Sequence, residues 1–339
     1  MSELLIFSIA FIATYFGVEV FRRWSLRAGL LDVPNDRSSH GSPTPRGAGL
    51  IIVLVSLILY LITSHFLTHN FKWHYVVAAG LVASISWLDD LYSIPFTPRL
   101  LVHSVAAAIL IWGVGFWREI YLPGFGLTFE VGNFGAIIAF LWIAWMINAY
   151  NFMDGIDGIA ASQAVLAGIS WLLLGYIFGN ISIYFTGGIL AFSCLGFLLH
   201  NWSPAKVFMG DVGSAYLGFT FAALPLLAAE EKPSDSPMLL FAGVIFVWFF
   251  FFDTVFTFFR RAARGKKVWI AHREHLYQRI TMAGRSHSYV TLLYSGFTAI
   301  VIASLFAGII FRGNWEFLAV FTSLLLSSIL ILYAYRESN

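Results

Sequence analysis

Eleven apolar runs divide this 339-residue chain, near residues 4–21, 47–66, 73–88, 100–117, 134–149, 158–178, 181–199, 213–229, 238–259, 288–311 and 315–335. Runs of this kind can cross the ~30 Å hydrocarbon core of a bilayer as α-helices, and lipid admits only helices and closed barrels because every backbone polar group must be satisfied internally. Charged residues are 11% of the chain, against about 25% in soluble domains. The expected fold is all-α: a polytopic integral membrane helical bundle of about 10–11 transmembrane helices. The uncertainty of one lies at 158–199, which only Gly179 and Asn180 divide. The sequence has no internal repeat and no composition break, so it reads as one membrane-embedded domain over 1–339.

The first run is preceded by Ser2 and Glu3 and followed by Arg22, Arg23 and Arg27, the reverse of a cleavable signal peptide. Threading the runs from an external N-terminus puts sixteen Lys and Arg residues inside and four outside: Lys72, Arg118, Lys232 and Arg312. Because positive loops stay inside, the N-terminus is expected outside and the C-terminus in the cytoplasm. Net charge is only +2 and the basic residues sit in cytoplasmic loops. Nucleic acid is therefore excluded as a partner in favour of membrane lipids and anionic substrates. Cys194 is the only cysteine, which rules out a disulfide framework or a cysteine-based metal site.

The same threading sorts the acids. Glu119, Glu130, Glu230, Glu231, Asp235 and Glu316 fall on external loops, where charge is ordinarily solvated. Asp89, Asp90, Asp154, Asp157 and Asp211 all fall at cytoplasmic helix ends, on three loops far apart in sequence. Carboxylates at a membrane edge are costly and functional by default. The pairs Asp89-Asp90 and Asp154-x-x-Asp157 set like charges close together, which calls for a cation, and hard oxygen ligands shared with phosphate oxygens are what Mg²⁺ takes. Gly155, Gly158, Gly210 and Gly213 beside these acids allow close approach to a ligand. Phe208 stands where it can stack on a base. The loop 260–287 is the longest basic segment; its Arg260, Arg261, Arg264, Lys266 and Lys267 set topology, and His272, Arg273 and His275 lie further along it.

These motifs resemble those of the polyprenyl-phosphate N-acetylhexosamine-1-phosphate transferases. The resemblance runs from about residue 32 to 285 and rests on DVPNDRSSHGSPTPRGAG, SWLDD at 86–90, NAYNFMDGIDGIA at 148–160, NWSPAKVFMGDVGS at 201–214, Asp253 seven residues before Arg260, and the HREH loop. It implies transfer of a sugar-1-phosphate from a UDP-N-acetylhexosamine to undecaprenyl phosphate, releasing UMP, with Mg²⁺ or Mn²⁺. By position, Asp89 and Asp90 match the catalytic acidic pair at the lipid phosphate. Asn151, Asp154 and Asp157 match the nucleotide and metal motif, and Asp211 a metal ligand. Asn201 and Phe208 match nucleotide-side positions, and His272, Arg273 and His275 a loop holding diphosphate and sugar. Arg46 and Lys206 complete the substrate-binding candidates, and a homodimer is the candidate assembly.

Two departures separate the chain from the peptidoglycan branch: Ser93 stands where that branch resembles DDxxK, and Glu274 interrupts its run of three histidines. The O-antigen-initiating branch, with GlcNAc, FucNAc or QuiNAc, is the expectation. A secondary transporter or flippase is the rival class, but its acids would lie near span midpoints. Only Asp253, within WFFFFDTVFTFFRR, does so.

Overall fold

The computed structural model describes residues 3–34, 42–122, 127–231, 236–268, 272–311 and 315–337. Its helices are α1 (Glu3–Ala28), α2 (Gly49–Phe66), α3 (Trp73–Tyr92), α4 (Phe96–Val114), α5 (Phe134–Met153), α6 (Ile159–Phe178), α7 (Ile181–Asn201), α8 (Gly210–Glu231), α9 (Ser236–Phe246), α10 (Trp248–Ala263), α11 (Leu276–Met282), α12 (His287–Ile310) and α13 (Trp315–Glu337). Two short antiparallel pairs, β1 (Leu31–Asp32) with β2 (Thr44–Pro45) and β3 (Glu119–Leu122) with β4 (Leu127–Glu130), are the described strands. The fold is that of a polytopic all-α membrane protein. Among the described residues nine helices are long and apolar enough to cross a bilayer, or ten if α9 and α10 form one span.

The division at Gly179-Asn180 is real: α6 ends at Phe178, and the Asn180 side chain accepts from the Ile183 N–H at 3.2 Å to start α7. The helix α3 does not pass the same hydropathy test, since it begins at Trp73-His74 and ends on the Asp89-Asp90 pair. Where 238–259 reads as one run, the structure breaks it at Val247, bending α9 against α10 by 78°. The break frees a carbonyl in a buried setting, and α6 satisfies it. Gln163 Nε2 donates to Phe246 O at 2.6 Å, while Thr298 Oγ1 donates to Gln163 Oε1 at 3.0 Å.

At the centre stands α8, with 94% of its apolar window buried. It packs against α3 and α5 and, through two glycines, against α2: a Cβ added to Gly213 would meet Gly49 Cα at 2.7 Å. This pillar begins at Gly210 and Asp211, so its first turn is delivered to the ends of α3 and α5.

Candidate active site

The end of α3 is fastened to the start of α8. Gly210 adopts φ +75°, and a Cβ there would meet Asp90 Oδ2 at 2.6 Å; only glycine lets the chain turn this close to the carboxylate. Asp90 then accepts the N–H groups of Asp211 and Val212, each at 3.0 Å. It acts as an N-cap supplied by another helix. Arg46 donates from Nη2 to Asp90 O at 2.5 Å, so Arg46 braces the end of α3. Neighbouring Asp89 turns the other way. Arg99, in the first turn of α4, pairs through one nitrogen with Asp89 and, at 2.9 Å, with Asp211.

The loop after α5 supplies two acids with different surroundings. Asp157 faces His287 Nδ1 at 3.3 Å and accepts the Ala205 N–H at 3.2 Å, while Thr291 donates to its backbone carbonyl. Burial pushes the Asp157 pKa up, but His287 and the Ala205 and Ser203 donors outweigh it and hold the carboxyl below its usual value. No described residue donates to Asp154. Its burial, and then the nearby charges of Asp211, Asp90 and Asp157, push its pKa well above the ordinary carboxylate range. Asn151 reaches from α5 to Ser214 Oγ at 3.1 Å.

The remaining candidates fall into two groups. Asn201 is a clamp: its amide accepts from Gly158 N at 3.0 Å and donates to Val207 O at 2.9 Å, joining the two acidic loops. Phe208 is held by its backbone between Pro45 O and Ala48 N, with its ring half-exposed, and Lys206 is exposed. In the basic loop, His272 accepts from the Glu274 N–H at 3.3 Å, and Arg273 is half-buried. His275 is buried, with its ring 4.9 Å from that of His272. The loop docks on α5 because Tyr277 donates to Phe152 O at 2.9 Å, two residues before Asp154.

Comparison with known proteins now bears on this arrangement. The sequence model of glycosyl transferase family 4 matches residues 72–229. The chain is 30% identical over 312 residues to a decaprenyl-phosphate N-acetylglucosaminephosphotransferase of Mycolicibacterium smegmatis, covering 84% of this chain and 76% of that protein. The chain belongs to the polyprenyl-phosphate hexosamine-1-phosphate transferases. This transferase is also 28% identical over 292 residues to a probable undecaprenyl-phosphate N-acetylglucosaminyl 1-phosphate transferase of Bacillus subtilis, covering 84% and 80%. It is 28% identical over 281 residues to a phospho-N-acetylmuramoyl-pentapeptide-transferase of Listeria monocytogenes, covering 78% and 85%.

Within the transferase the acids divide by what they hold. Asp90, expected as a reacting group, has each of its oxygens engaged by one N–H at the start of α8. Asp157, expected as a metal ligand, has its Oδ2 engaged by His287 and Ala205. Among the described residues, Asp89, Asp154 and Asp211 make neither kind of contact. No three His, Cys, Asp or Glu groups among the described residues form a ready cage for a metal ion. Mg²⁺ does not need one, since it binds through one or two carboxylates plus water and phosphate oxygens. The hard donors of Asp154 and Asp211 fit it, and a cation beside Asp154 would offset the burial and like charges that hold its carboxyl in the protonated form.

Arg99 and His287 are functional candidates that sequence reading missed. Arg99 is a cation in the first turn of an apolar helix, on the side where the acids gather, and that was the available signal. Ser93 and Glu274 have structural duties: Ser93 ends α3 in a left-handed conformation with φ 53°, and Glu274 gathers Arg260, Arg261 and Lys266 to anchor the loop.

Proposed function

We propose that this transferase moves an N-acetylhexosamine-1-phosphate from a UDP-sugar to undecaprenyl phosphate, giving undecaprenyl-diphospho-sugar and UMP, as the first step of O-antigen or related surface polysaccharide assembly. One observation carries the reading: Asp89 and Asp211 share Arg99, and Asp154 lies within electrostatic reach of Asp211, at the ends of three helices and beside a loop of His272, Arg273 and His275. Such a site suits two anionic substrates, one of them a lipid. Arg46 and Arg99 each keep a buried Nε–H with no acceptor among the described residues, leaving donor capacity for phosphate oxygens.

In this reading a lipid-phosphate oxygen attacks the β-phosphorus of the UDP-sugar, the bond from that phosphorus to the bridging oxygen breaks, and UMP leaves with the electron pair. Phosphoryl transfer of this kind is mainly positioning and charge neutralisation. Asp89, free of capping duty and paired with Arg99, accepts the residual acceptor proton. His272 presents Nε2–H, since its Nδ1 accepts from Glu274 N–H. Mg²⁺, held by Asp211 and Asp154, would supply neutralisation of the diphosphate charge. The positive-inside bias supports a cytoplasmic site in a bacterial inner membrane.

The donor is a UDP-N-acetylhexosamine, and the relatives named above support GlcNAc ahead of FucNAc and QuiNAc. The test is UMP release by purified protein with undecaprenyl phosphate and a panel of UDP-sugars. Release from a UDP-N-acetylhexosamine, dependent on the lipid phosphate and absent with UDP-muramyl-pentapeptide, is expected. Preference for the pentapeptide would overturn the branch, and no release from any donor would overturn the reaction.

A further inference from the structure

Asp253 lies on α10 among phenylalanines, with 0% of its surface exposed. Its carboxylate is nonetheless crowded with donors. One oxygen accepts from Thr257 Oγ1 at 3.1 Å, His275 Nδ1 at 3.2 Å and Leu276 N at 2.9 Å. The other accepts from Tyr277 N at 3.3 Å and the Tyr294 hydroxyl at 2.7 Å. One side chain thus gathers α10, α12 and the start of α11. A buried carboxylate without such partners would be prohibitive.

Two contacts lead from this cluster into the acidic site. The Tyr277 hydroxyl holds Phe152 O, and the Phe152 ring lies 6.3 Å from that of His275. Asp154 follows Phe152 by two residues. An ionised carboxylate only accepts hydrogen bonds, so His275 Nδ1 carries the proton toward Asp253 and Nε2 is the nitrogen turned away from it.

We propose that Asp253 is a positioning residue for the transfer: it fixes the ring orientation of His275 and pins loop 272–275 to the end of α5, setting the basic loop in register with the acids. This rests on the transfer reading above. Asp253 itself touches no substrate and acts through His275 and α11, as partners behind a ligating histidine do elsewhere.

The experiment measures kcat and KM for the UDP-sugar in the wild type, Asp253→Asn, His275→Ala and the double variant. Asparagine keeps the volume but cannot accept at both terminal atoms. Each single change is expected to lower kcat/KM at least about tenfold, which is ~1.4 kcal/mol. The double variant should stay within about threefold of the worse single, since both remove one arrangement. A capping role alone would make the two losses multiply, and multiplication, or wild-type kcat/KM in Asp253→Asn, overturns the proposal.

A second arm needs no turnover: hydrogen exchange across 276–282 should accelerate in Asp253→Asn, and unchanged exchange there also overturns it. If the wild type releases no UMP, the reaction assignment fails and the exchange arm still decides whether Asp253 holds the loop.

Discussion

The N–H of Asp211 donates to the carboxylate of Asp90 at 3.0 Å, joining two acidic motifs 121 residues apart in sequence. The bond assigns different work to adjacent aspartates. Asp90 sets where α8 begins, while Asp89 faces Arg99.

Substitution should separate the two roles. Asp90→Ala removes both acceptors at the start of α8 and is expected to cost about 1 kcal/mol of stability, and Asp90→Asn, which can accept at only one of its two terminal atoms, should recover part of that loss. Asp89→Asn should leave melting unchanged and lower UMP release at least about a hundredfold if it handles the acceptor proton. Melting curves and UMP assays on the three variants check this, and full turnover in Asp89→Asn would remove it from the reaction.

Arg99 keeps Asp89 and Asp211 from repelling each other. Because the trio is partly exposed, Arg99→Ala is expected to cost about 1–2 kcal/mol, below the 3–5 of a fully buried broken pair. Arg99→Lys restores charge but not the planar fork, and should recover stability more completely than turnover. The comparison is thermal melting against kcat.

Chelation tests the metal assignment. Turnover should fall to background in excess EDTA and return with Mg²⁺ or Mn²⁺. Asp211→Asn should raise the half-saturating Mg²⁺ concentration at least about tenfold, and Asp157→Asn should leave it unchanged because Asp157 is bound to His287 instead. An equal shift in both would return Asp157 to the metal site.

His272 gives a pH signature. Burial, followed by the charges of His275 and Arg261, holds its pKa down at about 4, so it is a neutral donor at neutral pH rather than a phosphate-clamping cation. As pH falls from about 6.5, the unfolded value, toward 4, the unfolded chain takes up a proton that the folded one refuses. Stability therefore declines through that window. His272→Gln should flatten the decline, as read by melting temperatures at pH 4.5 and 7.5.

The membrane bundle was legible because apolar length alone dictates it, and Gly179-Asn180 marked its own break. Val247 carried no such mark: WFFFFD continues an apolar run, and the kink is stabilised by Gln163 from a helix some eighty residues earlier. The gathering of Asp89, Asp90, Asp154, Asp157 and Asp211 followed from side-of-membrane bookkeeping. The division of labour between Asp89 and Asp90 did not, because it is decided by which side chain meets the N–H groups of α8. Asp253 looked anomalous for the same reason, since its five donors come from α10, α12 and the start of α11.

The enclosure of α8 also governs how the protein meets its membrane. Helices on the outside of the bundle tilt and slide to match the thickness of the surrounding lipid. A pillar with almost no lipid contact is shielded from that adjustment, and it carries Asp211 at its tip. The height of the reaction above the bilayer midplane is therefore set inside the protein, so membranes of different thickness would present their lipid substrate to the same fixed level.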